Sequence, residues 1–119
     1  MKMSADERAA ARAETLADGR AMFERIEEML LASAPKDATD EQHLDAQDAG
    51  RLEGLRHRRD ELKAALKLSP ARGAAAVARV RRECQRTVNW VEREAAADRE
   101  PGTAYDWGVW QADFDIIGS

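Results

Sequence analysis

The chain has 119 residues, 44% of them hydrophobic and 35% charged, with a formal net charge of −4; that length suits one domain. One cysteine, Cys84, excludes an intramolecular disulfide and fits a reducing compartment. Leu, Ile, Val and Phe number only 19 against 24 Ala, but the low net charge and the regular apolar spacing argue against disorder, so a folded protein with a thin core is expected.

The first residues, Met1-Lys2-Met3-Ser4-Ala5-Asp6-Glu7, are charged and carry no apolar stretch of a secretory leader. No run approaches the roughly 18 apolar residues that span a bilayer. A cytoplasmic location without membrane association is expected.

A first helix is expected over about 4–34. Ser4 and Glu7 have capping-box spacing. Leu16, Phe23, Ile26 and Leu30, with Gly19 between them, form a seam that Met22, Met29 and Leu31 widen. Pro35 ends the helix, because the residue before proline disfavours the α conformation. A turn follows, and Thr39 with Gln42 repeats the capping spacing. The second helix, about 39–68, has the seam Leu44, Asp48, Leu52, Leu55, Arg59, Leu62 and Leu66. Gly50 and Gly54 weaken its first half, although Gly54 also permits close helix contact.

Ser69-Pro70 reads as an N-cap with proline at the first helical position. The third helix, about 70–99, carries the stripe Val77, Val80, Cys84, Val88 or Thr87, Val91 and Ala95, with Trp90 beside it. Glu100-Pro101-Gly102 stops it. The tail, 103–119, holds Tyr105, Trp107, Trp110 and Phe114, four of the six aromatic residues. Trp107, Trp110, Phe114 and Ile117 fall on one helical face, and Thr103 is placed to cap a short helix near 104–115. These elements define an all-α fold: an antiparallel bundle of three long helices (1–102) plus a short C-terminal helix packed on it (103–119). A long hairpin that completes its core by dimerising through the leucine seam of the second helix is the alternative.

Charge is distributed unevenly. Residues 1–50 hold 6 basic and 12 acidic side chains, residues 51–93 hold 12 and 5, and residues 94–119 hold 1 and 6. The plainest reading pairs the acidic first helix with the basic second and third. An alternative reading gives the arginine faces, Arg56, Arg58 and Arg59 on the second helix and Arg79, Arg82 and Arg86 on the third, to nucleic-acid phosphates. The acidic chain as a whole opposes it.

Few constellations suggest chemistry. Asp40 with His43 and Glu53 with His57 lie on one helix, not on the facing helices of a di-metal site. Cys84 sits on an apolar stripe, unlike a reactive thiolate, and Glu27-Glu28 and Asp113-x-Asp115 read as solvent-facing carboxylates. No phosphate-binding glycine loop is present. No cofactor, metal or catalytic residue is expected. The aromatic tail is the best binding feature, since Trp and Tyr anchor protein interfaces. The expected function is that of a non-enzymatic adaptor, regulator or inhibitor contacting another protein through a helix face or through Trp107, Trp110 and Phe114, with Asp106, Asp113 and Asp115 lending charge.

Overall fold

A computed structural model describes residues 2–33 and 44–118. It contains α1 (Ala5–Ser33), α2 (Ala46–Leu66), α3 (Pro70–Ala96) and α4 (Ala104–Ile117). The fold is an all-α helical bundle, with three long helices and a shorter C-terminal one among the described residues.

The ends of the helices follow local chemistry. At α1 the Ser4 hydroxyl accepts from the Glu7 N–H at 3.1 Å and the Ser4 N–H donates to the Glu7 carboxylate at 3.3 Å, the reciprocal box read from the sequence. The N-cap of α2 is Asp45, whose carboxylate accepts from the Asp48 N–H at 2.8 Å. The expected cap at Thr39 and Gln42, the Pro35 stop and the Asp40–His43 pair lie outside the described residues. Pro70 opens α3, but the Ser69 side chain makes no capping bond. The end of α3 comes before Glu100-Pro101-Gly102. Asp98 adopts φ 54°, the Asp98 N–H donates to the Ala95 carbonyl at 3.0 Å and the Arg99 N–H to the Glu94 carbonyl at 3.0 Å. This is a Schellman turn with aspartate where glycine is usual. Thr103 and Asp106 form a second reciprocal capping box that starts α4.

Pairs of contacting residues give the directions. Ala65 lies by Gly73 while Arg58 reaches Glu83, so α2 and α3 run antiparallel. Leu16 lies by Gly73 and Gly19 by Val77, so α1 runs with α3. Gly50 faces Tyr105, Gly54 faces Ala112 and Arg58 meets Asp113, so α4 runs with α2. The result is an up-down-up-down order in which α4 fills the groove beside α2 and α3.

The core is thin and mostly aliphatic. Met22, Ile26, Leu30, Leu52, Leu55, Leu62, Val77, Val80, Cys84, Ala112 and Ile116 form one buried cluster. The expected seams hold for Ile26, Leu30, Leu52, Leu55 and Leu62 and for the α3 stripe from Val77 to Val91. Four positions differ. Leu31 is 85% exposed, Asp48 and Ala95 are exposed, and Arg58 turns inward where the spacing places Arg59 on the seam. Arg59, half-buried, pairs with its neighbour Asp60. Among the described residues, no helix is long and apolar enough to cross a membrane.

Candidate interaction surface

The surface is built on the way α4 is seated. Its buried positions are Gly108, Ala112, Asp113 and Ile116. Gly108 and Ala112 oppose Gly50 and Gly54 of α2, each pair four residues apart and so on one face of its helix. The backbones meet directly: a Cβ at Gly108 would collide with the Gln47 carbonyl oxygen, and one at Gly54 would lie 2.8 Å from Ala112 Cβ and 2.9 Å from the Val109 carbonyl oxygen. Glycine weakens an isolated helix by about 1 kcal/mol relative to alanine. Here it permits an approach that no larger residue allows.

A polar lock sits beside this seam. The Arg58 guanidinium donates from Nε to Asp113 Oδ1 at 2.9 Å and from a terminal nitrogen to Oδ2 at 3.1 Å. Its other terminal nitrogen donates to Glu61 at 2.8 Å and Glu83 at 2.9 Å. The Cys84 thiol donates to Asp113 Oδ1 at 3.4 Å. One arginine thus joins three helices, α2, α3 and α4, with its side chain 12% exposed and that of Asp113 6% exposed. Burial works against the guanidinium charge, but the hydrogen bonds and negative charge of Asp113 outweigh it and hold the Arg58 pKa above its ordinary value. Burial first, then the charge of Asp113, pushes the Cys84 thiol up to about 12. A thiol so protonated and enclosed is a poor nucleophile.

With the small-residue side of α4 pressed on α2, the aromatic residues fall elsewhere. The 3.6-residue period carries Trp107 and Phe114 to the side of α4 away from Gly108 and Ala112, and turns Trp110 toward α3. There Trp110 meets Trp90 edge-to-face, centroids 4.9 Å apart, and Trp107 meets Trp110 in the same way at 5.2 Å. All four aromatic side chains are half-buried, and Tyr105 is 41% exposed. Two open grooves border this strip. One, of about 480 Å³, is lined by Arg58, Glu83, Arg86, Thr87 and Trp90. The other, of about 690 Å³, runs past Phe114 between Arg25, Met29, Arg51 and Asp115.

The residues singled out in the sequence therefore separate. Trp107, Trp110 and Phe114 form one strip. Asp106 is occupied by the α4 cap, Asp113 by Arg58, and Asp115 accepts from Arg51 Nε at 2.7 Å and from Gln111 at 2.9 Å. Asp113 in particular is buried, where its spacing with Asp115 suggested a solvent-facing pair. Of the arginines, Arg58 is inside, Arg59 is tied to Asp60 and Arg56 is half-buried, whereas Arg79, Arg82 and Arg86 are exposed on α3. Arg58 and Arg86 meet at the smaller of these grooves, and Arg79 and Arg82 at a separate one on α3. His57 pairs with Glu61 at 3.3 Å rather than with Glu53. Among the described residues no group of three or more His, Cys, Asp or Glu is placed to hold a metal ion.

The sequence carries no sign of the role of Arg58, and of the glycine seam it suggests only the close contact at Gly54. Gly50-x-x-x-Gly54 and Gly108-x-x-x-Ala112 share one spacing, and that repeat was the available signal. Compared with known proteins, the chain matches no family model, no curated protein and no solved structure.

Proposed function

We propose that the chain is a non-enzymatic protein-interaction module, an adaptor, regulator or inhibitor, that docks on a partner protein through the aromatic strip of α4. One observation supports this reading above the others. The short helix buries its glycine and alanine side and leaves Trp107, Trp110 and Phe114 only half-buried beside two grooves. Tryptophan presents a large apolar area with few rotors to freeze, which is why it anchors interfaces. The strip is also held rigidly: α4 is capped at its start, seamed to α2 and pinned by Arg58. Rigid placement reduces the ordering cost of association.

The test uses the full chain as bait. Partner capture is compared for the parent and for a Trp107→Ser, Phe114→Ser variant, with thermal melting recorded for both. The expected result is loss of capture with helicity kept and melting lowered by only about 4–8 °C, the shift that corresponds to roughly 1 kcal/mol in a domain of this size. Unchanged capture, or collapse of the fold, would show that these rings serve only the packing of α4.

A further inference from the structure

The solvent side of α3 is lined with arginine. Arg72, Arg79, Arg86 and Arg93 recur every seven residues, and Arg82 lies between the middle two. All five are exposed. The helical period sets them opposite the buried line Val77, Val80, Cys84, Val88 and Val91. They form a ridge spanning about 31 Å, at 1.5 Å per residue. Like charges three and four residues apart, as at Arg79, Arg82 and Arg86, repel one another. Among the described residues no carboxylate relieves them. Four nearby acidic groups are engaged elsewhere, Glu83 and Asp113 with Arg58, Glu94 with Arg99, and Asp18 with Arg81, and Glu92, exposed beside Arg93, forms no ion pair with it. In a chain of net charge −4, five arginines aligned without a counter-charge leave this ridge electrostatically unsatisfied.

Apolar groups punctuate the ridge at both ends. Toward its start, Leu68, Ala75 and Ala76 floor an open groove of about 470 Å³ with Arg72, Arg79 and Arg82 at its rim. Leu68 is 45% exposed. Toward its end, Arg86 and Thr87 lead to Trp90, which continues through Trp110 into the aromatic strip of α4. Ala76 and Trp90 are 14 residues apart, about 21 Å along the helix.

We propose that this ridge docks an acidic amphipathic helix of a partner protein. Its carboxylates pair with the guanidinium groups of Arg72, Arg79, Arg82 and Arg86. Two apolar residues about 14 positions apart seat on the Leu68–Ala75–Ala76 groove and on Trp90. The proposal rests on the protein-binding reading and specifies the chemistry of the partner. A phosphate polymer fits less well. The groove at Leu68, Ala75 and Ala76 has no ring for a base to stack on but accepts an aliphatic side chain.

The probe is a fluorescein-labelled peptide of about 20 residues, mostly Glu and Ala, with Leu placed at seven-residue intervals on one helical face. Anisotropy is measured at about 50 and 150 mM salt, where screening differs appreciably. A scrambled peptide of the same composition, a single-stranded oligonucleotide and a DNA duplex are run beside it. The ordered peptide is expected to bind at least about tenfold more tightly than the scrambled one, a factor equivalent to 1.4 kcal/mol. It is also expected to bind more tightly than either nucleic acid. Arg79→Glu, Arg82→Glu, Arg86→Glu should abolish binding, and the matching Arg→Lys triple should retain most of it, with unchanged circular dichroism in both. Equal binding of the two peptides, no binding at the lower salt, or tighter binding of either nucleic acid overturns the proposal. If the peptide fails while capture through Trp107 and Phe114 stands, the ridge is excluded and the protein-binding reading survives. If the peptide binds while the Trp107 and Phe114 variant captures normally, the ridge stands and the aromatic strip is excluded.

Discussion

The two ends of the bundle hold together differently. Near the α2–α3 turn, α1, α2 and α3 meet through Leu16, Leu62, Ala65 and Val77, an aliphatic contact among three helices. At the other end α4 joins, and there the contacts are backbone against backbone at Gly50, Gly54 and Gly108, with a guanidinium ringed by three carboxylates. Apolar burial is non-directional. If burial alone governed α4, the helix would gain by rolling Trp107 and Phe114 inward. The glycine seam and the fork of Arg58 on Asp113 are directional, and they fix the rotation of α4 that leaves the aromatic strip outside. The aliphatic end supplies burial, and the α4 end supplies orientation.

The strongest way to break this contrast is at Arg58. Arg58→Met leaves Asp113 as an uncompensated buried charge and is expected to lower stability by about 3–5 kcal/mol. Adding Asp113→Leu removes the stranded charge and should restore most of that loss, since buried ion pairs exchange for apolar residues at little net cost. The double variant should nonetheless lose the near-ultraviolet circular dichroism of the Trp90–Trp110 pair, because the glycine seam without the fork does not hold the rotation of α4. Urea melts followed at 222 nm and in the near ultraviolet separate the two effects. A double variant with native aromatic dichroism would show that the glycine seam alone orients the helix.

A smaller effect comes from Cys84. Its pKa rises from an ordinary 9.0 to about 12 on folding, so between those values the native chain holds a proton that the unfolded chain has released. The unfolded state then binds fewer protons, and stability falls as pH rises through this window. The decline should be shallower in Cys84→Ala. In the parent at pH 8, thiol reagents should react only as fast as the chain unfolds. Rapid native labelling would contradict the enclosure of the thiol.

Much of the fold was legible because helix periodicity and capping are local. Ser4 with Glu7, Pro70, Thr103 and the Val77-to-Val91 stripe each carried their meaning within a few residues. The rotation of α2 and α4 did not. Leucine spacing suggested that Arg59 shares the seam, yet Arg58 is the residue drawn inside, because its carboxylate partners come from α3 and α4, 25 and 55 residues away. For α4 the spacing of Trp107, Trp110, Phe114 and Ile117 marks one helical face but not which side of the helix packs. The side actually buried is marked by Gly108 and Ala112, residues that score poorly as hydrophobes and matter through what they lack. The candidate surface was visible as Trp107, Trp110 and Phe114. The charge assigned to it was not, since Asp106, Asp113 and Asp115 serve the cap and the arginines.

The most direct measurement compares two neighbouring residues of α4, Gly108 buried against α2 and Trp107 half-buried beside it. Trp107→Ala and Gly108→Ala are made separately and their unfolding free energies determined by urea titration. For an aromatic face turned inward, the tryptophan truncation would remove about 3–5 kcal/mol, and alanine for glycine would stabilise the helix by about 1 kcal/mol. The orientation described here reverses that order. Gly108→Ala is expected to lose about 1–3 kcal/mol through the clash with the Gln47 carbonyl, and Trp107→Ala is expected to lose less. A stabilised Gly108→Ala beside a strongly destabilised Trp107→Ala would contradict it.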